Sequence, residues 1–233
     1  MIVCTDQINF QNEIIQYLFC EEAKMKTIIT IILTLILFTL VGCGKQENPV
    51  PEVDLYTAVL TDNLEAVRQH IKAGSDINVL ESTRKSTLLI TAAYFGRPEV
   101  AKILIDAGAE LNIKNNDGAT ALHTAVAFSR TEVAKILIDA GADLNIKNND
   151  GSTALHTAAF FCNVEIVAAL LENGADKTLK NKNLVTALEI VEPPFEYAKD
   201  AYDAVRAKLE PLGIIFDYDH IKLTRPKIAE MLK

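Results

Sequence analysis

His123 and His156 stand 33 residues apart in identical surroundings, Thr-Ala-Leu-His at 120–123 and 153–156. A recurring imidazole is a candidate metal ligand or general base. Either role needs partners at short range, and the sequence supplies none. His70 and His220 have no companions, and no G-x-S-x-G, H-E-x-x-H or phosphate-binding glycine loop occurs. Cys4, Cys20, Cys43 and Cys162 show no paired spacing and no C-x-x-C, so neither a zinc site nor a disulfide framework is indicated. Asp117-Gly118 and Asp150-Gly151 lack the run of carboxylates that a calcium loop requires, and read as turns. No catalytic residue, metal or cofactor is therefore assigned, and no small-molecule substrate. A formal charge of −8 and the absence of Trp argue against nucleic acid, whose phosphates need a surplus of Lys and Arg.

The spacing of 33 belongs to the whole segment around the histidines. DGATALHTAVAFSRTEVAKILIDAGADLNIKNN fills 117–149, and DGSTALHTAAFFCNVEIVAALLENGADKTLKNK fills 150–182. STLLITAAYFGRPEVAKILIDAGAELNIKNN fills 86–116, an opening unit covers 54–79, and a degenerate unit occupies 183–213. Each unit carries two helix signals. Thr87, Thr120, Thr153 and Thr186 suit the cap of a first helix, and Ala92, Ala125 and Ala158 keep its face small enough to stack. Glu65, Glu99, Glu132 and Glu165 open a second helix near its positive end, and Gly74, Gly108, Gly141 and Gly174 end it.

This pattern resembles the ankyrin repeat, whose core reads T-P-L-H-x-A-A followed by G-A-D-x-N, with Ala121 and Ala154 where the family has Pro. The resemblance implies an all-α solenoid of helix-turn-helix units with β-hairpin fingers, the fingers turning at the two Asp-Gly pairs. It implies that His123 and His156 bond to the Thr three residues earlier and to neighbouring backbone, tying units together. It also implies a concave binding face made of finger tips and the exposed ends of the first helices. Beyond Pro193-Pro194 a helix is expected over 195–209, ended by Pro211–Gly213. Residues 214–233 are expected as an irregular C-terminal cap with a short final helix.

Ahead of the repeats lies an address. Thr27–Val41 is apolar and uncharged, shorter than the roughly 20 residues that span a bilayer, and follows Lys24 and Lys26. Leu40-Val41-Gly42-Cys43 then resembles the lipobox of bacterial lipoproteins, implying a signal region 1–42, cleavage before Cys43 and acylation of its thiol. Acidic Glu21 and Glu22 in what should be a basic region point to a start at Met25. The mature chain would carry a charge of −6, tethered by the polar, proline-bearing segment 43–53. Gly44, not Asp, follows the cysteine. In a Gram-negative host this implies the outer membrane, facing the periplasm.

On the expected concave face, Lys114, Lys147 and Lys180 recur at the period, with Asn116 and Asn149 two residues beyond. Tyr94, Phe95, Phe128, Phe160 and Phe161 follow the alanines of successive units. They form an aromatic stripe beside a row of lysines, or they pack between helices. Cys162, at a turn position held elsewhere by Asp62, Gly96 and Ser129, reads as an ordinary turn residue, an oxidisable thiol being the alternative. The functional expectation is a lipid-anchored partner-binding protein that acts as scaffold, inhibitor or protective partner of another protein. A structural envelope spacer, and an enzyme with its activity in the C-terminal region, are the alternatives.

Overall fold

The computed structural model describes residues 52–210 and 216–233. The expected signal region 1–42 with Met25, the lipidation site Cys43, residues 44–51 of the tether and the stop at Pro211–Gly213 lie outside the described residues.

Every regular element among the described residues is a helix, and the helices come in pairs: α1 (Leu55–Leu60) with α2 (Leu64–Lys72), α3 (Leu88–Phe95) with α4 (Pro98–Asp106), α5 (Ala121–Ala127) with α6 (Thr131–Asp139), and α7 (Ala154–Phe160) with α8 (Val164–Glu172). Three further helices follow, α9 (Ala187–Val191), α10 (Phe195–Leu209) and α11 (Tyr218–Leu232). Each first helix starts on a side-chain cap. Asp54 accepts from the Thr57 N–H, Thr87 from the Ile90 N–H, and Thr186 from the Glu189 N–H, with Glu189 returning to the Thr186 N–H. A left-handed residue follows the first helix in four units, Asp62, Gly96, Ser129 and Cys162, and reverses the chain into the second helix. The second helices α2, α4, α6 and α8 end on a left-handed glycine, and the next N–H reaches back to the last turn, as Ala109 does to the Leu104 carbonyl.

Stacking buries what no unit could bury alone. Leu88, Leu89, Leu122 and Leu155 on the first helices, and Leu104, Leu137 and Leu170 on the second, are essentially solvent-free. Each such side chain stabilises the fold by roughly 2 kcal/mol relative to leaving it in water. Ala92, Ala125 and Ala158 are fully buried, so successive first helices approach closely.

A polar seam runs along the fingers. The side-chain oxygens of Asn78, Asn112 and Asn145 accept from the N–H groups of Glu110, Asp143 and Asp176 in the following unit. The Asn116, Asn149 and Lys182 N–H groups donate to the Arg84, Asp117 and Asp150 carbonyls of the preceding finger. The expected β-hairpins are reduced to turns. Gly118 N–H closes onto the Asn115 carbonyl and Asn115 N–H onto Ala119, and no strand forms among the described residues. The finger backbone bonds sideways to its neighbours and leaves too few amides for a ladder of its own.

The last unit departs from the pattern. Helix α11 packs on α9 and α8 as α8 packs on α7 and α6, so α11 is the second helix of the fifth unit. Helix α10 is inserted between the two. The sequence pointed to a helix over 195–209, which forms as α10, and to only a short helix at the end. The final helix has 15 residues because Pro226 sits inside it without stopping it. Proline removes one N–H and one hydrogen bond, and the burial of Ile221, Ile228 and Leu232 against the stack outweighs that loss. Among the described residues no helix is long and apolar enough to cross a membrane.

Candidate functional site

The first helices of units two and three and the fingers facing them enclose a groove of about 530 Å³. Tyr94, Phe95 and Phe128 wall it, with Tyr56 from α1 at one end. The Tyr94 and Phe128 rings lie 4.3 Å apart and tilted, and Phe95 meets Tyr94 edge-on at 4.9 Å. Phe95 remains 42% exposed, large for a phenylalanine fixed on a helix. Glu81, Arg84 and Asp117 supply charge from the finger side. Donations from the Thr83 hydroxyl and from the Arg84 and Thr83 N–H groups hold the Glu81 carboxyl at about 2, so it is ionised at neutral pH.

His123 also lines this groove, and its geometry is structural. Its Nε2 lies 3.1 Å from the Ser152 carbonyl, which can only accept, so Nε2 carries the proton. Its Nδ1 then accepts from the Thr120 hydroxyl at 3.0 Å and N–H at 3.4 Å. His156 repeats the arrangement with Thr153 and the Val185 carbonyl. Burial pushes both imidazoles below the usual histidine range and keeps them neutral. Among the described residues no group of three or more His, Cys, Asp or Glu is placed to hold a metal ion.

The aromatic stripe is divided. Tyr94, Phe95 and Phe128 face the groove, whereas Phe160 stacks on Tyr202 of α10 at 4.6 Å and Phe161 meets Phe216 at 5.9 Å. Phe160 and Phe161 therefore dock the C-terminal segment, because α10 is inserted beside them. The lysine row is the seam seen from outside. Lys114 Nζ donates to the Lys147 carbonyl at 3.0 Å, and Lys147 Nζ to the Lys180 carbonyl at 2.8 Å. Asn116 and Asn149 donate to the Thr83 and Asn116 carbonyls. These four side chains recur because each finger holds the next. Lys114, Lys147 and Lys180 all keep part of their length in solvent.

Sequence reasoning missed Tyr56, Glu81 and Arg84. They lie in the opening unit and the loop after it, where no motif marks a groove position. It also missed that Arg97 donates to the Leu60 carbonyl and Arg130 to the Tyr94 carbonyl, each closing the end of a preceding first helix. At Phe160 the Tyr202 hydroxyl of α10 performs that task at 2.8 Å. Cys162 is buried among these groups, 3.8 Å from the same hydroxyl, and burial pushes its thiol up. A deeply buried thiol of raised pKa is an inert packing group.

Comparison with known proteins agrees with this geometry. A family model described as ankyrin repeats (3 copies) matches residues 55–148, and one described as ankyrin repeats (many copies) matches 137–191. Protein phosphatase 1 regulatory subunit 27 of Mus musculus is 41% identical over 64 residues, 28% of this chain and 41% of that protein. The Homo sapiens protein of the same name is 39% identical over 64 residues, with the same shares. E3 ubiquitin-protein ligase hecd-1 of Caenorhabditis elegans is 41% identical over 59 residues, 25% of this chain and 2% of that protein. The match spans less than half the length of each of these relatives.

Proposed function

Starting from a chain that belongs to the ankyrin-repeat family across residues 55–191, we propose that it is a non-catalytic, lipid-anchored protein that grips a segment of another protein in the groove walled by Tyr94, Phe95 and Phe128. Ankyrin repeats indicate a protein partner, and a relative named as a regulatory subunit accords with that. The observation that carries the reading is the exposed aromatic wall. The fold does not need Phe95 at 42% exposure, and a folded monomer gains nothing by wetting a ring beside a groove. Rigid aromatics at the centre of a concavity are what interface hot spots are built from. Acylation of Cys43 would hold the stack at a membrane surface, in the periplasm or outside the cell, where it acts as scaffold, inhibitor or protective partner.

The test is capture of the partner from detergent-solubilised membranes by the full chain and by a Phe95→Ala, Phe128→Ala variant. Removing a central interface aromatic typically costs about 2 kcal/mol or more of binding. The variant is therefore expected to lose its partner while its circular dichroism stays that of the parent. A folded double variant that keeps the partner at unchanged affinity would overturn the reading and leave the stack a spacer. Mass spectrometry of the mature amino terminus decides the anchor, an acylated Cys43 being expected.

A further inference from the structure

The fingers bring a pair of oriented hydrogen-bond donors to the aromatic groove. Asn115 and Asn148 both line it. The Oδ1 of Asn115 accepts from the Asp117 and Ala119 N–H groups, each at 2.9 Å, and the Oδ1 of Asn148 accepts from the Asp150 and Ser152 N–H groups at 2.9 and 3.0 Å. A backbone N–H can only donate, so these bonds fix which end of each carboxamide is oxygen. The other end is an NH2 group. Neither Nδ2 has an acceptor among the described residues, and both reach solvent although the two residues are half-buried. One end of each amide holds its own turn, and the other is free to meet an occupant.

Charge complementarity defines what that occupant carries. The NH2 end is the positive end of the amide dipole and takes an oxygen acceptor. Among the formal charges of the lining, Glu81 and Asp117 outnumber Arg84, which disfavours an anion. Neutral peptide carbonyls meet both conditions. Their spacing selects the backbone conformation. Asn115 and Asn148 are equivalent positions of adjacent units, so they stand apart by the spacing of packed helices, about 8–10 Å. A β-strand turns carbonyls the same way about 6.7 Å or 13 Å apart and misses that step. An α-helix spends its carbonyls on its own amides. A polyproline II helix has three residues per turn and rises about 3.1 Å per residue, so every third carbonyl faces the same side about 9 Å apart. Its proline rings also suit the wall of Tyr94, Phe95 and Phe128, because such helices dock in aromatic-lined grooves.

Resting on the reading of this groove as the partner site, we propose that the segment it takes is proline-rich. It lies across units two and three as a polyproline II helix and gives carbonyls three residues apart to Asn115 and Asn148.

The test titrates the full chain in detergent with a capped peptide of nine prolines. The readouts are the nuclear magnetic resonance signals of the Asn115 and Asn148 side-chain amides and of the Phe95 and Phe128 backbone amides. Saturable shifts of all four are expected. A capped nine-residue glycine–serine peptide, which has the carbonyls without the fixed turn or the rings, should bind more weakly. Asn115→Asp with Asn148→Asp keeps the acceptor that holds each turn and removes the donor. The Glu81 carboxylate already holds the matching turn of the first unit, accepting from the Thr83 and Arg84 N–H groups. The aspartate variant should therefore keep the parent's circular dichroism and lose about ten-fold or more in affinity for nine prolines, the worth of two ordinary hydrogen bonds. In capture of the partner from membranes, loss with Phe95→Ala, Phe128→Ala but not with the aspartate variant would keep the groove as the site and overturn this proposal alone. No saturable shift with nine prolines, equal binding of the two peptides, or unchanged affinity of the aspartate variant would also overturn it. If the aspartate variant does not fold, the comparison of the two peptides on the parent chain decides.

Discussion

Gly118 is the position where the sideways packing of the fingers can be weighed by a single methyl group. Its φ is +69°, and a Cβ placed there would sit 2.5 Å from Asn149 Oδ1, 2.7 Å from the Asn149 backbone nitrogen and 3.1 Å from the Asn148 carbonyl carbon. The side-chain oxygen can swing away, but the backbone atoms cannot without separating the two fingers. Gly141 is the matched control, with φ +84° and nothing within 4 Å of an added Cβ. Alanine at either position suffers left-handed strain of about 1–2 kcal/mol. Only at 118 does it also overpack against backbone, which costs about 1–3 kcal/mol more. Gly118→Ala is thus expected to destabilise by about 2–5 kcal/mol and Gly141→Ala by about 1–2 kcal/mol. With a urea slope of about 2 kcal/mol/M, the midpoints followed by circular dichroism should fall by about 1–2.5 M and about 0.5–1 M respectively. Equal shifts for the two variants would show that the fingers yield freely, and the seam would then be decoration on a stack held by its helices alone.

Three further outcomes are expected. Leu184 has φ +61° and is 73% exposed at the finger position that Gly118 and Gly151 hold in their units, so Leu184→Gly should stabilise by about 1 kcal/mol, read as a higher urea midpoint. Phe160→Ala, which removes the ring stacked on Tyr202, should cost about 2–3 kcal/mol and make residues 195–233 the first segment cut in limited proteolysis, whereas Phe95→Ala should leave both readouts unchanged. Stability should fall on acidification in two windows. Burial lowers the folded-state values of His123 and His156 from 6.5, so the unfolded chain takes up these protons first and stability is full above that pH and declines as pH drops through it. Glu81, lowered from 4.5 to about 2 by the hydrogen bonds it accepts, and Asp176 and Glu189, lowered for the same reason, add a second decline below 4.5. Urea midpoints measured across pH check both windows, and His123→Gln with His156→Gln should flatten the first.

The repeating part of the fold was legible because its causes recur in the chain. Thr87, Thr120, Thr153 and Thr186 mark helix starts by a local bond, and Gly74, Gly108, Gly141 and Gly174 mark ends by a local conformation, so each could be read without knowing its neighbours. The histidine role followed from the resemblance to the ankyrin repeat, which implies bonds from His123 to the Thr three residues earlier and to neighbouring backbone, and the Ser152 carbonyl is that backbone partner. What escaped reading lies where a contact joins repeat to non-repeat. Nothing near Phe160 in sequence announces Tyr202, 42 residues on, and without that contact the ring looks equivalent to Phe128. Lys114 and Lys147 were legible as periodic, but periodicity alone does not separate a row facing a partner from a row facing the next finger. Pro226 reads locally as a helix end, and the burial that carries α11 through it is tertiary.

The inserted helix α10 sets the order in which the molecule assembles. In the other units the two helices are joined by short turns, three residues (161–163) between α7 and α8, and can zip up as soon as one forms. In the fifth unit α9 and α11 are separated by residues 192–217, and closing that longer connection costs roughly 2 kcal/mol more in chain entropy. Growth of the solenoid is therefore expected to start among units two to four, where neighbours are alike and connections short, and to run toward both ends. Helix α11 is expected to dock last, since α8 and α9 make the surface it packs on. Until then Phe160 and Phe161 prolong the aromatic wall of the groove, so a nascent or partly denatured chain presents a longer adhesive face than the finished one.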